Sequence, residues 1–104
     1  MAPVSVLAAL HEQRIRRLPC VMCWWLSDGK VLTPMQEIHH LEADRHPFSA
    51  FLCLPLCWEH HNGYLGIHGK HRLGFEKFHK VTQVQLLGVT TMLLLADRAA
   101  VVGQ

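Results

Sequence analysis

Cysteines and histidines fall in this chain at the spacings of metal ligands. Cys20-Val21-Met22-Cys23 is a Cys-x2-Cys pair, and Cys57-Trp58-Glu59-His60 repeats the spacing with an imidazole as its second donor. Each pair can turn both of its side chains onto one tetrahedral ion, so Cys20, Cys23, Cys57 and His60 together make the donor set of a closed structural zinc site. Taken singly these cysteines would read as small buried hydrophobes, but two pairs of equal spacing favour the metal. Cys53 offers a competing set, Cys20, Cys23, Cys53 and Cys57. Residues four apart on an extended strand lie about 13 Å apart, so Cys53 reads better as a core thiol.

A second group of donors is left over. His39 and His40 are adjacent, His61 follows the proposed ligand His60, and His68 lies seven residues further on. Imidazoles bind transition metals well, and a site with open positions can accept a phosphate oxygen or water. Neighbours on a strand point to opposite faces, which suits different duties for His39 and His40: one ligates while the other takes a proton. Histidine fits the second duty because its ordinary pKa lies near neutrality. A single histidine is more often a satisfied core or surface group; with nine in the chain, the clustering carries the argument.

Lys70, Arg72 and Lys77 follow the last of these histidines and could meet a phosphate backbone. The competing reading is a solvated helix face. Trp24, Trp25 and Trp58 flank the proposed zinc ligands and are expected to pack around them. Arg14, Arg16 and Arg17 suit the C-terminal end of a helix dipole.

Elements must position these groups. Val4, Leu7, Ala8, His11, Ile15 and Leu18 recur at helical spacing, so an amphipathic helix is predicted over about residues 5–17, stopped by Pro19. Cys20 to Cys23 would form a metal knuckle, followed by a turn at Ser27-Asp28-Gly29-Lys30. Residues 35–41 and 49–56 read as two strands joined by the polar loop 42–47, with Pro55 at an edge or strand end. A helical turn is expected from His60, then an irregular path past Gly63, Gly66 and Gly69, and a helix over about 75–79. Thr82-Gln83-Val84-Gln85 has capping-box form and opens a last helix to about Ala99. These elements predict the α+β class.

At 104 residues the chain is one domain, small enough that a bound metal would contribute materially to folding. Half of its residues are apolar and the formal charge is +2, which permits nucleic-acid binding without demanding it. The N-terminus lacks the form of a secretory signal, and the apolar run 86–96 is too short to span a bilayer. The expectation is a cytoplasmic protein with metal-binding rather than disulfide-bonded cysteines. The His-x-Glu and Pro-Cys-x2-Cys elements of a zinc deaminase are missing, as is the βαβ setting of a thioredoxin-like Cys-x2-Cys.

The combination resembles the HNH endonuclease superfamily. The resemblance rests on Cys20-x2-Cys23, on Glu37-Ile38-His39-His40-Leu41, and on Pro55-Leu56-Cys57-x2-His60-His61. The run His60-His61-Asn62-Gly63-Tyr64, Gly66-Ile67-His68-Gly69 and Phe75-Glu76 is similar to phage and prophage recombination-enhancement (Ref-type) nucleases, which depend on RecA. The likeness covers about residues 20–87. It implies a ββα-metal unit (the His-Me finger) with a structural zinc knuckle over 20–70, an N-terminal helix over 1–19 and C-terminal helices over 71–104. It further implies that His40 is the general base and that His39 and His61 hold a catalytic Mg, Mn, Ni or Zn ion, with His68 a further ligand. The implied activity is DNA phosphodiester hydrolysis to 5′-phosphate and 3′-hydroxyl ends, with DNA and a RecA–DNA filament as partners. The chain departs from the family at its middle asparagine, which has no counterpart between Leu41 and Leu56; Asp44, His46 or Ser49 are the substitutes. The alternative is a non-catalytic zinc module that binds nucleic acid or protein.

Overall fold

A computed structural model describes residues 3–41 and 48–102, without the side chains at 70 and 98–102. Among the described residues, five α-helices accompany a two-stranded antiparallel sheet, so the molecule is a small mixed α/β protein. The loop 42–47, with Asp44 and His46, lies outside the described residues.

Helix α1 spans Val4–Ile15. Its predicted apolar stripe is only partly covered. Ile15 and the following Leu18 are buried, whereas Val4 and Leu7 are exposed, because nothing among the described residues packs over the first turns. The expected knuckle is the start of a helix, α2 (Val21–Leu26), with Cys20 as its N-cap. The turn after it places Asp28 and Gly29 at positive φ, and Trp24 packs over Gly29 at the distance a Cβ would occupy.

The strands are shorter than the sequence predicts. Strand β1 (Glu37–His40) pairs with β2 (Cys53–Leu56) in the register His39 to Leu54 and His40 to Cys53. Residues 49–51 coil into a 3₁₀ turn instead of extending β2, closed by Phe51 N–H to Phe48 O and Leu52 N–H to Ser49 O. Phe51 meets His11 of α1 there, with ring centroids 5.3 Å apart. Pro55 lies inside β2 opposite Ile38, which a sheet of two edge strands tolerates.

The chain then enters α3 (Trp58–His61), α4 (Ile67–His79) and α5 (Gln83–Val102). Helix α4 begins eight residues before the predicted start. Gly69 is helical rather than part of an irregular path, and a kink at His71, with φ at 64°, divides the helix. Helix α5 opens on the predicted capping box: Gln85 N–H donates to Thr82 Oγ1 at 3.0 Å, and Thr82 N–H to Gln85 Oε1 at 2.8 Å. The main core joins Val21 and Met22 of α2 to Leu54 and Leu56 of β2, Phe75 of α4 and Leu86 of α5. Cys53 is buried elsewhere, with Ile15 and Leu18. Among the described residues no helix is long and apolar enough to cross a membrane.

Candidate metal centres

Two short helices start in the same way. Cys20 is the N-cap of α2 with Cys23 three residues on, and Cys57 is the N-cap of α3 with His60 three residues on. One helical turn brings each pair to one side. The backbone N–H of Cys23 points at Cys20 Sγ, 3.5 Å away, and the N–H of Trp58 is taken by Gln36 Oε1 at 2.8 Å. Packing of α2 against β2 sets the two pairs face to face.

The four donors converge. His60 Nδ1 is 3.3 Å from Cys57 Sγ, 3.5 Å from Cys23 Sγ and 3.7 Å from Cys20 Sγ, and Cys23 and Cys57 Sγ are 3.9 Å apart. Ligands about 2.3 Å (sulfur) and 2.0–2.1 Å (nitrogen) from a tetrahedral zinc stand roughly 3.5–3.8 Å from one another. The fit is close, and these residues could hold a metal such as zinc. Burial pushes the Cys20 thiol up to about 12 and lowers the pKa of His60. Without a cation, Cys20 therefore stays a thiol; a bound cation would favour the thiolate. Cys53 is not in this group; burial pushes its thiol up to about 11, as befits a core position. His60→Ala is expected to lose the zinc and Cys53→Ala to retain it, as read by metal analysis of the purified proteins. The reverse outcome would replace the ligand set.

The second cluster joins His39 of β1, His61 of α3 and His68 of α4, whose ligand atoms all lie within 4.8 Å of one another. His61 Nε2 and His68 Nε2 are 3.1 Å apart, and two nitrogens about 2.1 Å from one ion stand roughly 3.0–3.4 Å apart. The His39 ring is 5.3 Å from that of His61 and 5.5 Å from that of His68, centroid to centroid. Close packing of α3 on α4 makes this meeting possible: a Cβ on Gly66 would stand 2.7 Å from the Glu59 carbonyl oxygen.

Both adjacent histidine pairs are split. Around the axis of α3, neighbours are about 100° apart, so His60 faces the cysteines and His61 faces His39 and His68. On β1 the alternation buries His39 and leaves His40 exposed. His40 stays near enough for its charge to disfavour protonation of His39.

Glu37 and Gln83 have no role in the sequence reading, and both touch the cluster. Glu37 Oε1 is 3.1 Å from His61 Nδ1 and also accepts a short hydrogen bond from Asn62 Nδ2. A carboxylate behind a ligating imidazole orients the ring and raises its basicity. Gln83 Oε1 is 2.9 Å from His39 Nε2. Glu37 was visible in the motif, two residues before His39 on the same strand face. Nothing local marks Gln83, which lies between the capping-box partners Thr82 and Gln85.

Burial pushes His39 down to about 4, with the charges of His61, His68 and His40 acting in the same direction and the Gln83 hydrogen bond opposing them. His39 is thus a neutral imidazole at physiological pH, the form that ligates. An unfolded chain protonates it near 6.5. Between pH 6.5 and 4 the unfolded state holds a proton that the folded state lacks, so the contribution is full above 6.5 and is lost as pH falls through that window. With no ion at the cluster, wild type is expected to lose about 1.5 kcal/mol more than His39→Gln between pH 6.5 and 5. Urea unfolding of both proteins across that range checks this; parallel curves would refute it.

A cleft of about 240 Å³ adjoins the cluster, lined by His39, Leu41, Ile67, His68, His71, Arg72 and Gln83. Arg72 is thus beside the histidines and exposed, whereas Lys77 lines a separate cleft with Gly69, Gly74 and Phe78. Lys70 lies on α4, and its side chain is outside the described residues. Ser49 sits in the 3₁₀ turn. The tryptophans do not all pack as expected: Trp24 is half-buried, but Trp58 is 54 % exposed. It is the first residue of α3, where its side chain projects from the core. No protein-family model, curated protein or solved structure matches the chain.

Proposed function

We propose that this chain is a metal-dependent DNA endonuclease of the HNH type, with a structural zinc at Cys20, Cys23, Cys57 and His60. One observation carries the reading. Three imidazoles from β1, α3 and α4 converge separately from a complete closed ligand set, and the exposed His40 follows His39 on the same strand. A purely structural zinc module has no use for the second cluster. The order β1, β2, α3, with donors on the first strand and the helix, supports a ββα-metal unit.

His39, His61 and His68 would hold the ion, which when bound would supply positive charge to the scissile phosphate and to the departing 3′ oxygen. Imidazole donors favour a transition metal, Mn, Ni or Zn, over Mg. His40 takes a proton from the attacking water as its oxygen bonds to phosphorus. The bond from phosphorus to the 3′ oxygen then breaks, that oxygen gains a proton from solvent, and 5′-phosphate and 3′-hydroxyl ends result. Arg72, which lines the cleft with His39 and His68, would hold a non-bridging phosphate oxygen, and Lys70 and Lys77 would meet the flanking backbone.

The test is nicking of supercoiled plasmid and of RecA–DNA filaments by zinc-loaded wild type and His61→Ala, with and without added manganese or nickel. Metal-dependent cleavage that His61→Ala lacks is expected, and a requirement for the filament would identify RecA as the partner. Folded wild type that cleaves neither substrate would instead favour the non-catalytic zinc module.

A further inference from the structure

A neutral imidazole has one N–H and one lone pair, so whatever accepts the N–H decides which nitrogen can ligate. His61 has Glu37 on Nδ1 and turns Nε2 toward His68. His39 is contacted on the opposite nitrogen: Gln83 Oε1 lies 2.9 Å from His39 Nε2, across 44 residues of chain. Both partners are buried, His39 at 8 % and Gln83 at 4 % exposure, so water does not compete for the bond.

The Gln83 backbone is also anchored. Its backbone N–H donates to Glu76 Oε2 at 2.6 Å, and the Thr82–Gln85 capping box fixes the start of α5. Its amide therefore reaches His39 from a helix anchored to α4, the helix that carries His68.

We propose that Gln83 is a positioning residue of the histidine cluster: it accepts the Nε2–H of His39 and so directs the Nδ1 lone pair to the metal. This role rests on reading the cluster as a metal site. It makes α5 part of the centre although that helix contributes no ligand. The sequence places Gln83 outside every ligand motif, and only the tertiary packing that brings the start of α5 to His39 joins the two.

The test uses full-length protein with zinc at the cysteine site. Long-range ¹H–¹⁵N spectra of wild type before a second metal is added read the His39 tautomer directly. Calorimetric titration with nickel then compares wild type, Gln83→Leu and Gln83→Glu. The expected results are an Nε2–H tautomer, nickel binding weakened roughly 10- to 100-fold in Gln83→Leu, and near-wild-type binding in Gln83→Glu, which keeps an acceptor. An Nδ1–H tautomer in wild type, or Gln83→Leu that binds as tightly as wild type, would overturn the assignment. Wild type that takes up no nickel at the cluster would sink the proposed function and this role together. The expected nickel results without DNA cleavage would sink the nuclease reading alone.

Discussion

Removal of the ion from Cys20, Cys23, Cys57 and His60 is expected to unfold the domain rather than loosen it. Helix α2 has six residues and α3 has four, far below the length at which an isolated helix stands in water. The sheet consists of two four-residue strands, also marginal by itself. Cys20 and Cys57 belong to the main core, so the site and the core are one unit. Zinc binding of this kind contributes on the order of 10 kcal/mol, as much as the roughly 5–15 kcal/mol total stability of a typical domain. Chelation, or Cys57→Ser, should abolish the cooperative thermal transition and collapse the dispersed amide spectrum, and readdition of zinc to wild type should restore both. A chelated protein shown to be zinc-free that still melts cooperatively near its original midpoint would assign the fold to the apolar core alone.

His40→Ala should show the opposite profile, intact structure with activity lost. The side chain is exposed at the end of β1, so truncating it removes little packing, and it belongs to neither donor cluster. Zinc content, melting temperature and nickel affinity should therefore match wild type. If His40 accepts the proton of the attacking water, cleavage should fall by about 10² to 10⁴-fold, about 3–5 kcal/mol of transition-state stabilisation. Single-turnover nicking with saturating metal measures this. Added imidazole should recover part of the rate, since an exposed position leaves room for it. Equal rates for the two proteins would point to another base or to a contaminating nuclease. Loss of nickel binding in His40→Ala would make His40 a ligand rather than a base.

Features legible in the sequence share one property: they depend on residues within a turn of each other. In Cys20-x2-Cys23, in Cys57-x2-His60 and in the Thr82–Gln85 capping box the partners stand three positions apart, and helix geometry converts each spacing into contact without reference to the rest of the chain. Element boundaries were less legible. Residues 49–51 leave the strand for a turn that meets His11, and α4 begins early because Gly66 lies close against α3 and Gly69 against the Gly63 backbone, close approaches that glycine permits but does not announce.

The sequence by itself therefore determined the donor types, their pairing within each short helix, and the presence of more histidines than one closed site can use. Tertiary structure alone decided how those histidines divide. His60 and His61 part because α3 lies between the cysteines and the histidine cluster, and His39 and His40 part because the fold buries one and leaves its neighbour on the other strand face exposed. Glu37 reaches His61 across 24 residues and Gln83 reaches His39 across 44. A hydrogen bond between such distant residues has no local signature, since its geometry is set by how the helices pack and not by any spacing along the chain.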